Sequence, residues 1–305
     1  MNASTCIIET SGLSRRFGNK AALDNVSLRI GPGRVFGLVG ENGAGKTTLL
    51  KHLLGMLKAE SGSVRVFGLD PVAEPVSVLG RIGYLSENRD LPAWMTVQEL
   101  LRYTQAFYPK WDMGFAEELR ERFGLLSSAK IKNLSRGENA KAGLLVALAY
   151  RPELLLLDEP SSGLDPLVRR DILEAIIRTV AEEGRTVIFS THLLDEIERV
   201  ADEVAMMFDG RITLQGPLDE IKESHHRLLL RFETEQPGAP SIPGSLSITG
   251  AGREWTVVCN GSRNEAIAAV AKVGGRVLNE GTPSLEEIFV ARASAKNPVR
   301  IPNPV

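Results

Sequence analysis

Of everything in this chain, the octapeptide Gly40-Glu41-Asn42-Gly43-Ala44-Gly45-Lys46-Thr47 leaves the fold the least freedom. A glycine, four residues and then Gly-Lys-Ser/Thr is the spacing of a loop that wraps phosphates with backbone N–H groups. Ahead of it, Val35-Phe36-Gly37-Leu38-Val39 is apolar throughout and predicts a buried strand. Behind it, leucines at 49, 50, 53, 54 and 57 predict one apolar face of a helix running from Lys46 to Leu57. Glycines 40, 43 and 45 let the main chain approach an anion without a Cβ in the way, and the helix N-terminus adds partial positive charge. Lys46 is expected to reach the β and γ phosphates and the Thr47 hydroxyl to ligate Mg2+, with the run from Gly40 through Thr48 lining the ligand. Motif and context agree, which weighs against the plainer alternative of a glycine turn before a core helix. Binding of a nucleoside triphosphate is the expectation.

A chain of 305 residues, 43% of them hydrophobic, can bury a full core and is expected to divide into two parts. Its 36 basic and 38 acidic residues give a net charge of −2, so no overall basic field points to nucleic acid as the main partner. Cys6 and Cys259 stand at opposite ends, form no metal spacing and fit a reducing interior. Met1 to Thr10 shows no basic start followed by an apolar stretch, so no signal peptide is expected. Apolar runs such as Gly143 to Tyr150 fall far short of the roughly 18 residues a membrane span needs. If the protein works at a membrane, another chain is expected to provide the crossing.

Short strands at Thr5 to Thr10 and Val26 to Ile30 are predicted to lead into the strand at Val35. Between them, Phe17 is a single aromatic among cations in Leu13-Ser14-Arg15-Arg16-Phe17-Gly18, suited either to core packing or to stacking on a nucleobase. Ser61 to Gly68 alternates like a surface strand, and Arg81 to Leu85 reads as another. From about residue 91 to 150 the pattern turns helical. Thr96-Val97-Gln98-Glu99 is a capping box opening a helix toward Tyr108, and Phe115, Leu119 and Phe123 share a face of a second. This insertion ends at Leu134-Ser135-Arg136-Gly137-Glu138, where Ser135 and Glu138 form another capping box ahead of a helix carrying Leu144, Leu145 and Leu148. Its helix N-terminus can receive an anion.

Leu154 to Leu157 lacks polar alternation and predicts a strand buried on both faces, as in a parallel sheet, ending in Asp158-Glu159-Pro160. Asp165-Pro166 opens a helix to Val180, and Thr186 to Ser190 predicts another buried strand that ends at Thr191-His192. Val204 to Phe208 and Arg211 to Gln215, joined by Asp209-Gly210, read as a hairpin. Strands alternating with helices over residues 1–224 imply an α/β core. Residues 225–293 read as a small α+β domain, with strands at Leu228 to Phe232 and Trp255 to Cys259 and helices capped by Ser262-Arg263-Asn264-Glu265 and Ser284-Leu285-Glu286-Glu287. Pro237, Pro240 and Pro243 mark a loop, and the tail 294–305, with prolines at 298, 302 and 304, is expected to be disordered.

Two acids closing a buried strand are what Mg2+ and an attacking water need in a phosphate-loop protein: Asp158 for the metal, Glu159 to orient or deprotonate the water. Taken with Leu134-Ser135-Arg136-Gly137-Glu138 and His192, the set resembles the ATP-binding cassette (ABC) ATPases, whose motifs run in the same order over residues 17–192. The resemblance implies a P-loop NTPase core of ABC type with an antiparallel β subdomain and a helical insertion. It also implies an ATPase using ATP and Mg2+. It makes Phe17 the base-stacking aromatic, Ser161-Ser162-Gly163-Leu164-Asp165 a loop facing a partner subunit, and His192 the sensor of the γ-phosphate. Ser135 and Gly137 would meet the ATP held by the other subunit, so that two nucleotides are sandwiched between two cassettes.

Two positions depart from the family. Arg136 replaces the first signature glycine and Glu138 the usual Gln; Arg136 either adds charge near the phosphate or decorates the surface. In Ser86-Glu87-Asn88, Glu87 stands where the family tends to place a metal-touching Gln, and a carboxylate there can still meet Mg2+. A single cassette, no membrane span and the ending Pro-Ser-Leu-Glu-Glu-Ile-Phe-Val at 283–290 resemble the ATPase subunits of bacterial exporters. The expectation is a homodimer or heterodimer with another ABC ATPase subunit. It would sit on the cytoplasmic face of the membrane beneath separate permease subunits, without nucleic acid. The alternatives are a cassette protein acting on ribosomes or DNA, which usually has a second cassette or long coiled coils, and a small-molecule kinase, which leaves Ser135 and His192 unexplained.

Overall fold

A computed structural model describes residues 6–296, with the backbone alone in 179–183 and 294–296. In chain order the first elements are β1 (Ile8–Phe17), β2 (Lys20–Ile30), β3 (Val35–Val39), α1 (Lys46–Leu53), β4 (Ser61–Val66), α2 (Pro75–Leu79) and β5 (Ile82–Leu85). The helical block follows as α3 (Val97–Gln105), α4 (Met113–Arg122) and α5 (Arg136–Leu148). Next come β6 (Leu154–Asp158), α6 (Pro166–Glu183), β7 (Thr186–Thr191), α7 (Leu194–Val200), β8 (Glu203–Phe208) and β9 (Arg211–Pro217). The chain ends with α8 (Leu218–Glu223), β10 (His225–Gln236), β11 (Ser245–Asn260), α9 (Arg263–Lys272), β12 (Gly275–Gly281) and α10 (Leu285–Lys296).

The central sheet has the order β5-β6-β7-β3-β8-β9. Every pairing from β5 through β8 is parallel. Strands β3, β6 and β7 are buried at every position, which is why their sequences carry no polar alternation. Because the strands are parallel, their C-terminal ends lie along one edge, and there the phosphate loop follows β3 while Asp158 and Thr191 close β6 and β7, with Glu159 and His192 immediately beyond them. A second, antiparallel sheet of order β2-β1-β4 covers one side, its Ile8, Leu13, Leu23, Val26 and Ile30 joining Phe36, Leu50 and Leu156 in one buried cluster. Each such side chain contributes about 1.5–3 kcal/mol on burial, enough together to hold the loop's scaffold rigid.

The β8–β9 connection is the expected two-residue turn, with Asp209 at φ 46° and Gly210 at φ 74°. Other expectations shift. Of the strand read at Thr5–Thr10, Thr5 lies outside the described residues; the strand starts at Ile8 among the described ones and runs on to Phe17, so Phe17 closes a strand and does not sit in a connecting loop. The helix read to Leu57 stops at Leu53: Gly55 turns left-handed at φ 69°, where a Cβ would lie 2.2 Å from the Pro71 carbonyl oxygen. The helix from Thr96 ends at Gln105, short of Tyr108.

The chain divides into two compact units at Gln215/Gly216, nine residues before the expected boundary at 224/225, because α8 packs with β10 and belongs to the second unit. That unit is a three-stranded sheet, β11-β10-β12, with its own core around Leu228, Leu230, Trp255 and Val257. Strand β12, Gly-Arg-Val-Leu-Asn-Glu-Gly, carries no strong alternation that would mark it in the sequence. Ser284 and Glu287 form the expected capping box, at 2.8 and 3.1 Å. Ser262 starts α9 without a side-chain cap bond. Residues 294–296, expected to be disordered, continue α10, while 297–305 lie outside the described residues.

Candidate functional site

The loop between β3 and α1 is shaped from behind. A Cβ on Gly45, which caps α1 at φ 108°, would lie 2.4 Å from the Ala22 carbonyl oxygen, and one on Gly40 would lie 2.6 Å from that of Met207. Strands β2 and β8 therefore press main chain against the loop, and two of its glycines are needed for that packing. Gly43, at φ 84°, supplies the left-handed bend. Glu41 is exposed and contributes through its backbone, its carbonyl accepting from the Ala44 N–H at 3.1 Å, while Asn42 is exposed at the rim. The open side faces a cavity of about 400 Å³ lined by Phe17, Lys20, Asn42, Thr47, Thr48 and Glu87, with Lys46 and Glu159 at its floor. Phe17 is half exposed and carries the Arg15 guanidinium 5.0 Å from its ring centroid, so a planar ligand would stack on the ring's other face.

Lys46 is buried, its Nζ 2.6 Å from the Gly40 carbonyl oxygen and 3.0 Å from Glu159 Oε1. The other oxygen of Glu159 lies 2.8 Å from His192 Nδ1; a carboxylate accepts, so Nδ1 donates and Nε2 is left to face solvent. Asp158 is fixed by the Ser190 hydroxyl, which donates to its Oδ1 at 2.6 Å. The Tyr84 hydroxyl is pushed up to about 12 by burial and then by the carboxylates of Asp158 and Glu87, which places both acids near one side chain. The sequence-predicted residues Lys46, Asp158, Glu159 and His192 thus converge, with Thr47 and Glu87 on the same cavity wall.

Ser135 caps α5 with both capping-box bonds, at 2.8 and 3.2 Å, and its N–H, then its hydroxyl, holds the Glu138 carboxyl below its ordinary range. Gly137 turns its Cα to Val168, where a Cβ would lie 2.8 Å away, so it can offer a ligand only its backbone N–H. Neither Ser135 nor Gly137 lines the cavity at the phosphate loop of its own chain. Arg136 folds over Gly163, its guanidinium within 2.7–3.0 Å of the point a Cβ there would occupy, so it packs on the loop after Glu159.

A family described as "ABC transporter" matches residues 23–162. ABC transporter ATP-binding protein YtrB of Bacillus subtilis (strain 168) is 31% identical over 95% of this chain and 99% of its own length. The chain belongs to the ABC transporter ATP-binding proteins. Daunorubicin/doxorubicin resistance ATP-binding protein DrrA of Streptomyces peucetius is 33% identical over 94% of this chain and 92% of that protein. A solved structure of an ATP-binding subunit of an ABC transporter superimposes with a TM-score of 0.65 at 29% identity, covering 71% of this chain and 92% of that one.

As an ABC ATPase the chain binds and hydrolyses ATP, and its donor set suits the Mg2+ that accompanies the nucleotide. Thr47 and Asp158 offer hard oxygens, while among the described residues no group of three or more His, Cys, Asp and Glu could hold a metal. A cation here must complete its shell with phosphate and water oxygens, as Mg2+ does beside a nucleotide. In this ABC ATPase two buried residues outside the predicted set, Ser190 and Glu196, hold the loops of the site. Ser190 looked like one more strand residue. Glu196, buried and raised above the ordinary carboxyl range by burial, accepts from the Ser161 hydroxyl at 2.6 Å and pairs with Arg169 at 3.2 Å, tying the loop after Glu159 to α7 and α6. No sequence signal marked either of them, since each is defined by its long-range contact.

Proposed function

We propose that the chain drives export through separate membrane subunits, working as a pair that closes around two ATP molecules. The observation that carries this reading is the placement of Ser135. It tips the N-terminus of a 13-residue helix, yet it does not line its own chain's nucleotide cavity; its N–H is taken by Glu138 in the capping box, and the positive helix end it caps is left for the γ-phosphate held by a second copy. Within each half-site, Lys46 and the loop N–H groups bind the phosphates, Phe17 stacks on the base, and Thr47, Asp158 and Glu87 face the cation. Mg2+ when bound neutralises charge on the phosphate oxygens. Glu159 orients the water and takes its proton, and His192, bonded to Glu159, reads the γ-phosphate on its free side.

Among the described residues no helix is long and apolar enough to cross a membrane. The exposed Trp94, Tyr103 and Phe107 of the helical block suit an apolar docking surface for a permease, which would hold the chain at the cytoplasmic face of the membrane. Resistance to a drug, named for DrrA, is what removing a compound from the cell confers, and it supports the export direction. Glu159→Gln with saturating ATP is expected to retain nucleotide, lose turnover and elute as a dimer, and Ser135→Ala placed on top of it to return the monomer. A monomer for Glu159→Gln alone sinks the sandwich.

A further inference from the structure

Where β6 ends, the chain bends in a way that side-chain-bearing residues rarely adopt: Glu159 sits at φ 48°. Strands β5 and β7 flank β6, so residues just beyond them can hold this peptide from either side. From β7, Ser190 accepts the Glu159 N–H with its carbonyl oxygen at 3.0 Å and its hydroxyl at 3.2 Å. From beyond β5 comes Arg89, whose Nη2 donates toward the carbonyl oxygens of Glu159 at 3.4 Å, Pro160 at 3.0 Å and Ser162 at 3.0 Å.

Arg89 is itself placed with care. It is 7% exposed and left-handed at φ 52°, and its N–H is held by the Ser86 carbonyl oxygen at 3.1 Å and hydroxyl at 3.2 Å. Burial lowers its guanidinium below the ordinary range, and the like charge of Arg136 adds to that cost. A buried cation is ordinarily matched to a carboxylate. This one feels the opposing pull of the Glu87 carboxylate but donates to three neutral carbonyls, and what those carbonyls share is the loop that begins with Glu159.

We propose that Arg89 is a positioning residue for ATP hydrolysis: it holds the Glu159 peptide from the side opposite Ser190 and so sets the direction in which the carboxylate meets the attacking water. The proposal rests on the reading of Glu159 as the group that handles that water. Hydrolysis is sensitive to this direction because the carboxylate works between Lys46 and His192, at 3.0 and 2.8 Å, and misplacement by about 1 Å costs on the order of 100-fold in rate. Nucleotide binding is expected to be spared, because Arg89 does not line the phosphate-loop cavity but a neighbouring one of about 600 Å³, with Asn88, Lys132 and Arg136, that shares only Glu87 with it.

The test is steady-state ATPase kinetics of the full chain, with thermal melting alongside, for Arg89→Met and Arg89→Lys. Arg89→Met is expected to lower kcat about 100-fold with KM for ATP within about twofold of the parent. Arg89→Lys keeps a charge and three N–H donors on a shorter stem and is expected to recover about tenfold of that loss. A kcat for Arg89→Met within about twofold of the parent, a KM that rises in step with the fall in kcat, or a lysine variant no better than methionine each overturns the proposal. Failure of both variants to fold overturns it too, since Arg89 would then serve the framework alone. Glu159→Gln is measured in parallel. Turnover retained there removes the reading of Glu159 itself, whereas an inert Glu159→Gln beside an active Arg89→Met removes only the role of Arg89.

Discussion

Ser190 shows how one side chain can serve two acids. Its hydroxyl donates to Asp158 Oδ1 at 2.6 Å and accepts from the Glu159 N–H at 3.2 Å, so the metal-facing and water-facing residues share one support. Asp158 is 1% exposed and has no solvent to replace that donor. Ser190→Ala is expected to cost on the order of 10- to 100-fold in Mg2+ affinity or turnover, read by titrating the ATPase with Mg2+. An unchanged titration would show that Asp158 needs no orientation. At this scale the motif residues Lys46, Asp158, Glu159 and His192 were legible because each ends or follows a strand whose apolar run is unmistakable. Arg89, Ser190 and Glu196 were not, since nothing local distinguishes a serine, a glutamate or an arginine that finds its partner across the sheet.

Strand β5 and helix α5 show how a single hydrogen atom sets the distance between elements. A Cβ on Gly83 would lie 2.3 Å from the Ala147 carbonyl oxygen and 2.8 Å from Leu155 Cδ1, so the helix that begins at Ser135 rests directly on the backbone of β5. The first of those atoms is backbone and cannot rotate aside. Gly83→Ala is expected to destabilise the fold by about 1–3 kcal/mol through overpacking, measured by urea unfolding. A variant of parent stability would mean that α5 tolerates displacement. The sequence placed both elements and the Ser135 cap, but Gly83 read only as one residue of a short strand.

Across the whole molecule, each unit buries a histidine held neutral. His52 in the first unit and His225 in the second are both lowered from the ordinary 6.5, chiefly by burial. His225 Nδ1 faces the Ile221 carbonyl oxygen at 2.6 Å and its Nε2 accepts from Arg292 at 3.0 and 3.2 Å, an arrangement that protonation breaks. A lowered histidine binds its proton more readily when unfolded, so its contribution to stability is present above pH 6.5 and is lost as pH falls through the lower folded value. Unfolding midpoints are therefore expected to drop below pH 6.5, and His225→Gln to flatten that dependence for the transition of the second unit. A variant whose midpoint falls with pH as steeply as the parent's would assign the effect elsewhere.

By itself the sequence determined the phosphate loop, the strands that precede each catalytic residue, the capped helix at Ser135 and the α+β character of the second unit. These follow from periodicity and from short motifs, both of which act over a few residues. Only the tertiary structure decided that β5, β6 and β7 lie side by side with their ends on one edge, and hence that Arg89 and Ser190 grip the Glu159 peptide from either flank. Neighbourhood in a parallel sheet is fixed by long-range packing, and residues 70 and 31 positions away from Glu159 carry no local mark of where the sheet will bring them.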